Sequence, residues 1–124
     1  MASLPWYSQL SDMSDQLSAL RNQIDALDGE LINLLAKREK LVGEVLVYKK
    51  AQKLPARIQS RIDEVINNAG LRAETIGMNP DLARTVWAAM VEWFVQHEEG
   101  ELSATVQSSL THMPSSNPGI VDLS

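Results

Sequence analysis

Two interleaved seven-residue series constrain this chain more than any other feature. Leu17, Ile24, Leu31, Arg38 and Val45 form one; Leu20, Leu27, Leu34, Leu41 and Tyr48 form the other. Together they draw a coiled-coil-like seam, thickened by Ile32, Leu35, Val42 and Leu46 beside it. No proline interrupts the pattern before Pro55. Gly29 and Gly43 weaken helix propensity by roughly 1 kcal/mol each, which is too little to end it. The spacing predicts one long helix over residues 14–52, capped by Ser11 or Ser14, with residues 1–13 as an N-terminal arm. Such a helix, at ~39 residues, is roughly 58 Å long, whereas a compact domain of this size has a radius of gyration of ~14 Å. A monomer would leave leucines in water. The helix is therefore expected to kink or to be covered by a second chain, and the continuity of the seam through both halves favours a homodimer.

Two shorter helices are expected downstream. The second starts after Pro55, turns Ile58, Ile62, Val65 and Ile66 inward, and stops at Asn68 or Ala69 before Gly70. Asn79-Pro80-Asp81 is a start signal, with Asn as cap, Pro at the first helical position and Asp favourable to the helix dipole. The third helix is expected to run to Glu99 and close at Gly100. It carries two apolar stripes, Leu82-Val86-Met90-Trp93-His97 and Trp87-Val91-Phe94-Glu98. Residues 101–124 lose periodicity, hold six Ser and two Pro and no Lys or Arg, and read as a flexible C-terminal tail. The fold class is thus all-α, with residues 14–100 as the helical domain.

Composition matters chiefly for what it excludes. The chain has no Cys, so disulfides, thiolate zinc sites and a thiol nucleophile are absent, in keeping with a reducing compartment and an expected cytoplasmic location. No apolar run approaches the ~20 residues that span a bilayer, and no signal-peptide pattern opens the sequence, so no membrane partner is expected. His97 and His112 are the only histidines, which argues against a metal site and a His-dependent triad. Neither a GxGxxG nor a phosphate-binding loop is present. The net charge of −5 conceals a basic segment: residues 37–61 hold eight Lys or Arg against Glu39 and Glu44, a local +6, and the remainder is −11. An acidic protein with one basic segment repels nucleic acid yet can hold a small anion. The basic stretch also lacks interleaved aromatics, a further argument against RNA.

Within that segment Arg38 takes a seam position where Leu or Ile is expected. A buried guanidinium is costly unless paired. Lys49, eleven residues on, returns to within about 20° of the same face and lies about 16 Å along the axis. The two can converge on an anion between them; equally, Arg38 can pair with a carboxylate of another helix or set the register of a coiled coil. Arg21 lies about 25 Å from Arg38 and about 100° around a straight helix, so it reaches that face only from an antiparallel second copy. Glu98 ends an apolar stripe, either as part of a solvated last turn or as a carboxyl group facing the basic face.

Residues 17–99 resemble the all-α chorismate mutases. Leu20-Arg21-Asn22-Gln23-Ile24-Asp25-Ala26-Leu27-Asp28 is similar to that family's LRxxIDxLD opening, and Leu34-Leu35-Ala36-Lys37-Arg38 to its LLAxR segment. Val45–Lys49 resembles the stretch ending in its catalytic Lys. Pro55-Ala56-Arg57 and Arg61-Ile62-Asp63-Glu64-Val65 follow the start of its second helix. The resemblance implies an intertwined homodimer whose two sites draw on both chains. It implies chorismate, a small dicarboxylate, as substrate, and a pericyclic rearrangement to prephenate that needs no cofactor, metal, nucleophile or proton transfer. Catalysis would come from holding a reactive conformer and stabilising charge on the ether oxygen. By the same resemblance Arg21 of a second copy and Arg38 grip carboxylates, Lys49 meets the ether oxygen and a carboxylate, and Arg61, Ile62 and Phe94 complete the substrate contacts.

Two positions depart from the family pattern. Glu98 stands where many members carry a Gln that donates to the ether oxygen. A carboxyl group donates only when protonated, a form that burial favours and nearby cations oppose. Activity is therefore expected to fall as pH rises, and Glu98→Gln to flatten that fall. Ile62 stands where many mutases have a Glu that holds the ring hydroxyl. An apolar residue there is more similar to the isochorismate–pyruvate lyases of the same fold, and leaves room for 4-amino-4-deoxychorismate. A non-catalytic helical dimerisation module is the remaining alternative.

Overall fold

A computed structural model describes the backbone of residues 5–111 and the side chains of residues 9–104. Among the described residues all regular structure is helical: α1 (Pro5–Gln52), α2 (Gln59–Thr75) and α3 (Pro80–Thr111), with no strand. The chain divides into two compact units at the Leu41–Val42 step within α1.

The long first helix follows from the seam, but it starts earlier than residue 14. Pro5 takes the first helical position, where a missing N–H costs nothing, and no Pro or Gly occurs again before Gly29. Once nucleated, a helix gains one hydrogen bond for each residue added, so the stretch expected as an arm is helical from Pro5. Residues 1–4 lie outside the described part. In the first unit every side chain from Gln9 to Lys37 is exposed, including Leu17, Leu20, Ile24, Leu27, Leu31 and Leu34; Arg38 is half-buried.

In the second unit the end of α1 turns Val42, Leu46 and Lys49 away from solvent, at the i, i+4, i+7 spacing of one face. The helix stops at Lys53, whose φ of 57° is left-handed. Leu54 N–H then donates to the Lys49 carbonyl at 2.8 Å, closing the last turn. A six-residue link with buried Ala56 leads to α2; Ile58 at its N-cap and Ile62, Val65 and Ile66 within it are half-buried.

Gly70 does not end α2. The helix continues to Thr75, and a Cβ at Gly70 would collide with the Arg84 side chain of α3. The glycine permits close approach of two helices, a role that does not disturb helical φ. The true stop is Gly77, with φ of 77°, where Met78 N–H returns to the Ala73 carbonyl at 2.9 Å. Small residues line the α2–α3 contact: Ala69 and Ala73 pack on Ala83, with Trp87 against them.

The third helix starts where Asn79-Pro80-Asp81 predicts. Asp81 N–H donates to the Asn79 side-chain oxygen at 2.9 Å. It also runs past Gly100 to Thr111, because a glycine held in helical φ only lowers propensity by about 1 kcal/mol. Residues 101–111, expected in the tail, are therefore helical; residues 112–124 lie outside the described part. Of the two stripes on α3, the 87-91-94-98 one is turned inward, with Val91 and Glu98 buried and Trp87 and Phe94 half-buried, and neighbouring Val95 is buried with it. The other presents Leu82, Val86 and Trp93 to solvent.

Candidate active site

The inward stripes of α1 and α3 meet at one ion pair. Lys49 Nζ lies 2.6 Å from Glu98 Oε2, and the two side chains are only 12% and 6% exposed. The ammonium also donates to the Ala56 carbonyl at 2.7 Å. Each partner is where it is for a local reason. Lys49 is the last inward position before α1 ends, and Glu98 continues the 87-91-94-98 stripe of α3. Of the two readings of Glu98 left open by its stripe, the buried one holds: the residue is 5% exposed. Burying two opposite charges is tolerable only with short geometry and further hydrogen bonds, and this pair has both. Two of the three Lys49 donors are taken among the described residues.

The remaining expected site residues are placed differently. Arg61, on α2, is exposed and donates to Glu64 one turn on at 2.7 Å. Ile62, next to it, is half-buried. Phe94 is half-buried on the Glu98 stripe, its ring edge-to-face with Trp93 at 5.2 Å. Arg21 and Arg38 belong to the first unit; Arg21 is exposed, and Nη1 of Arg38 is shielded from solvent.

Sequence reasoning did not single out a second ion-pair group beside the first. Arg57, in the α1–α2 link, forks onto Glu92 of α3 with Nη2 at 2.6 Å from Oε1 and Nη1 at 3.0 Å from Oε2. Its Nε lies 3.5 Å from Glu99 Oε1, and Gln96 donates to Glu92 at 3.2 Å. The guanidinium hydrogen bonds hold Glu92 below the usual carboxylate range, with help from Gln96. Reciprocally, the bonds to Glu92 push Arg57 further up. A signal was present: Glu92 and Glu99 are seven apart, hence on one helix face, and Arg57 lies in the basic segment.

Among the described residues no group of three or more His, Cys, Asp or Glu could hold a metal ion. None of the described helices is long and apolar enough to cross a membrane. Among the described residues the protein is all-helical, and a buried cation–carboxylate pair joins the basic segment to α3. The sequence matches the family Chorismate mutase type II over residues 20–99, and the chain belongs to that family.

Individual relatives agree. A T-protein of Enterobacter agglomerans is 40% identical over 74 residues, 60% of this chain and 20% of that protein. A T-protein of Haemophilus influenzae is 39% identical over 72 residues, 58% of this chain and 19% of the relative. A 4-amino-4-deoxychorismate mutase of Streptomyces pristinaespiralis is 30% identical over 78 residues, 63% of this chain and 60% of the relative. The chain thus matches about a fifth of the length of the T-proteins. No solved structure matches it.

Proposed function

We propose that the protein is a chorismate mutase, an isomerase that rearranges chorismate to prephenate in aromatic amino acid biosynthesis. The observation that carries this reading is the buried Lys49–Glu98 pair, in a chain of the chorismate mutase type II family. The rearrangement breaks the ether C–O bond and forms a C–C bond in one cyclic movement of electrons, so the protein supplies conformation and charge only. Lys49 meets negative charge developing on the ether oxygen, where a preorganised donor is most effective. Arg38 and Arg21 hold carboxylates by bidentate forks, Arg61, Ile62 and Phe94 shape the ring pocket, and no cofactor or metal takes part. Glu98, which holds Lys49 at 2.6 Å, faces the same oxygen, and Glu98→Gln tests whether a neutral donor serves in its place.

The reading includes an intertwined homodimer. The apolar row of the first unit is exposed, whereas the residues buried among those described are alanines, Gly70 and part of α3. A second copy laid antiparallel covers that row and brings its Arg21 to the site. A cytoplasmic location, without membrane or nucleic-acid partners, belongs to the same reading. So does the division into an arm (1–13), a catalytic domain (14–100) and a tail (101–124), with helix extending into both flanks.

A second substrate is favoured by a specific observation. Ile62 is apolar where a ring hydroxyl would need a partner, and one relative is a 4-amino-4-deoxychorismate mutase. Purified protein incubated separately with chorismate, isochorismate and 4-amino-4-deoxychorismate separates the readings. Prephenate is the expected product of the first; salicylate plus pyruvate, or aminodeoxyprephenate, would reassign the substrate. No turnover of any would leave a dimerisation module. Arg38→Leu should abolish turnover with the dimer intact, whereas a module would tolerate it.

A further inference from the structure

The link between α1 and α2 has to hold the Ala56 carbonyl in place, because that oxygen takes one Lys49 donor at 2.7 Å. Local structure does part of this: Leu54 N–H closes the end of α1 onto the Lys49 carbonyl at 2.8 Å, and Ala56 itself is buried. The chain nevertheless passes through left-handed Lys53, and Ile58 precedes α2 without a side-chain cap. A further fastening comes from Arg57, the residue after Ala56, which forks onto Glu92 and also pairs with Glu99, the residue after Glu98. Two bridges therefore run side by side onto α3. The inner one is buried and joins Lys49 to Ala56 and Glu98; the outer one is exposed and joins Arg57 to Glu92 and Glu99. They are one residue apart at Ala56–Arg57 and at Glu98–Glu99, while the fork onto Glu92 lies six residues before Glu98.

We infer that Arg57 and Glu92 are a positioning pair that sets where the Lys49 ammonium sits. The inference rests on the reading of Lys49 as the group that meets the substrate. The outer bridge is too exposed to matter much for stability. A displacement of about 1 Å at a reacting group, however, costs up to ~100-fold in rate. The expected signature is a loss of turnover without a loss of fold, which a purely structural ion pair does not produce.

The test uses the full chain with Arg57→Ala, Arg57→Lys, Glu92→Gln and the exchange Arg57→Glu with Glu92→Arg. Three quantities are read: kcat and KM for chorismate, thermal unfolding, and the rate at which acetic anhydride labels Lys49, followed by mass spectrometry. Arg57→Ala should lose about 10- to 100-fold in kcat, with KM within about threefold and unfolding close to the parent. Lys49 should label faster. Arg57→Lys, lacking the planar fork, should fall between, and the exchange should recover part of both kcat and Lys49 protection. Salt should lower the parent's kcat towards that of Arg57→Ala, whose own kcat should not respond. Unchanged Lys49 labelling in Arg57→Ala and Glu92→Gln overturns the inference, as does a rate loss that tracks an equal loss of thermal stability and is not recovered by the exchange. A parent that turns over no chorismate refutes the proposed activity alone, and the labelling still decides the position of Lys49.

Discussion

Residues 9–37 and residues 42–104 share a helix and a seven-residue period, but they use it differently. In the first stretch every side chain is exposed, the leucines of the seam included. In the second, Val45 and Tyr48 of the series also stay exposed, but neighbouring Val42, Leu46 and Lys49 are half-buried, and α2 and α3 form a core of alanines and valines. Periodicity specifies which face is apolar; what covers it depends on what else the chain supplies. The second region closes around a buried ion pair, whereas the described side chains of the first carry their apolar surface outward.

The largest effect expected from breaking this contrast is at Lys49. Lys49→Ala removes the cation and leaves the Glu98 carboxylate buried alone. Chorismate turnover should fall by about 10²–10³-fold, and unfolding should be easier by about 3–5 kcal/mol, read by prephenate formation and denaturant melts. Arg21→Ala, at an exposed position of the first region, should lose turnover with unfolding close to the parent. Mixing the two inactive variants sharpens the comparison further. If each site takes Arg21 from one copy and Lys49 from the other, a mixed dimer holds one intact site. An equimolar mixture exchanged to equilibrium should then regain about a quarter of parental activity. No recovery would mean that the first region does not complete the site of a second copy.

Legibility in the sequence follows the same division. The long helix and the Asn79 cap are local regularities, and each could be read from spacing alone. The misplaced boundaries all involve residues with more than one physical use. Gly70 and Gly100 read as stops because glycine favours left-handed φ, yet Gly70 is there for the close passage of Arg84 and Gly100 stays helical. Pro5 reads as part of an arm, yet Pro at a helix start is favourable. The burial of Glu98 was half legible, since its stripe marked the face but not the partner. Arg57 lay in a link without periodicity, so nothing local indicated that it would reach α3.

The smallest expected effect lies in the outer bridge and is a matter of pH. Arg57 and Gln96 hold the Glu92 carboxyl below the usual carboxylate range, so near that range the unfolded chain binds more protons than the folded one. Stability from this group is then fully present above the ordinary Glu range and fades as pH falls through the lowered folded value. Arg57 is pushed up, so its contribution is present throughout the range below the ordinary Arg value and does not titrate in the same window. Glu92→Gln removes the acid-side limb. Thermal melts of parent and variant from neutral to strongly acidic pH should therefore differ slightly at neutrality and converge as the medium becomes acid, because protonated Glu92 and Gln are then nearly equivalent neighbours of Arg57. The difference is expected to be modest and to shrink with salt, as for any exposed pair. A gap that persists at acid pH would mean that Glu92 supports the fold through packing, leaving the charge of the bridge without a role.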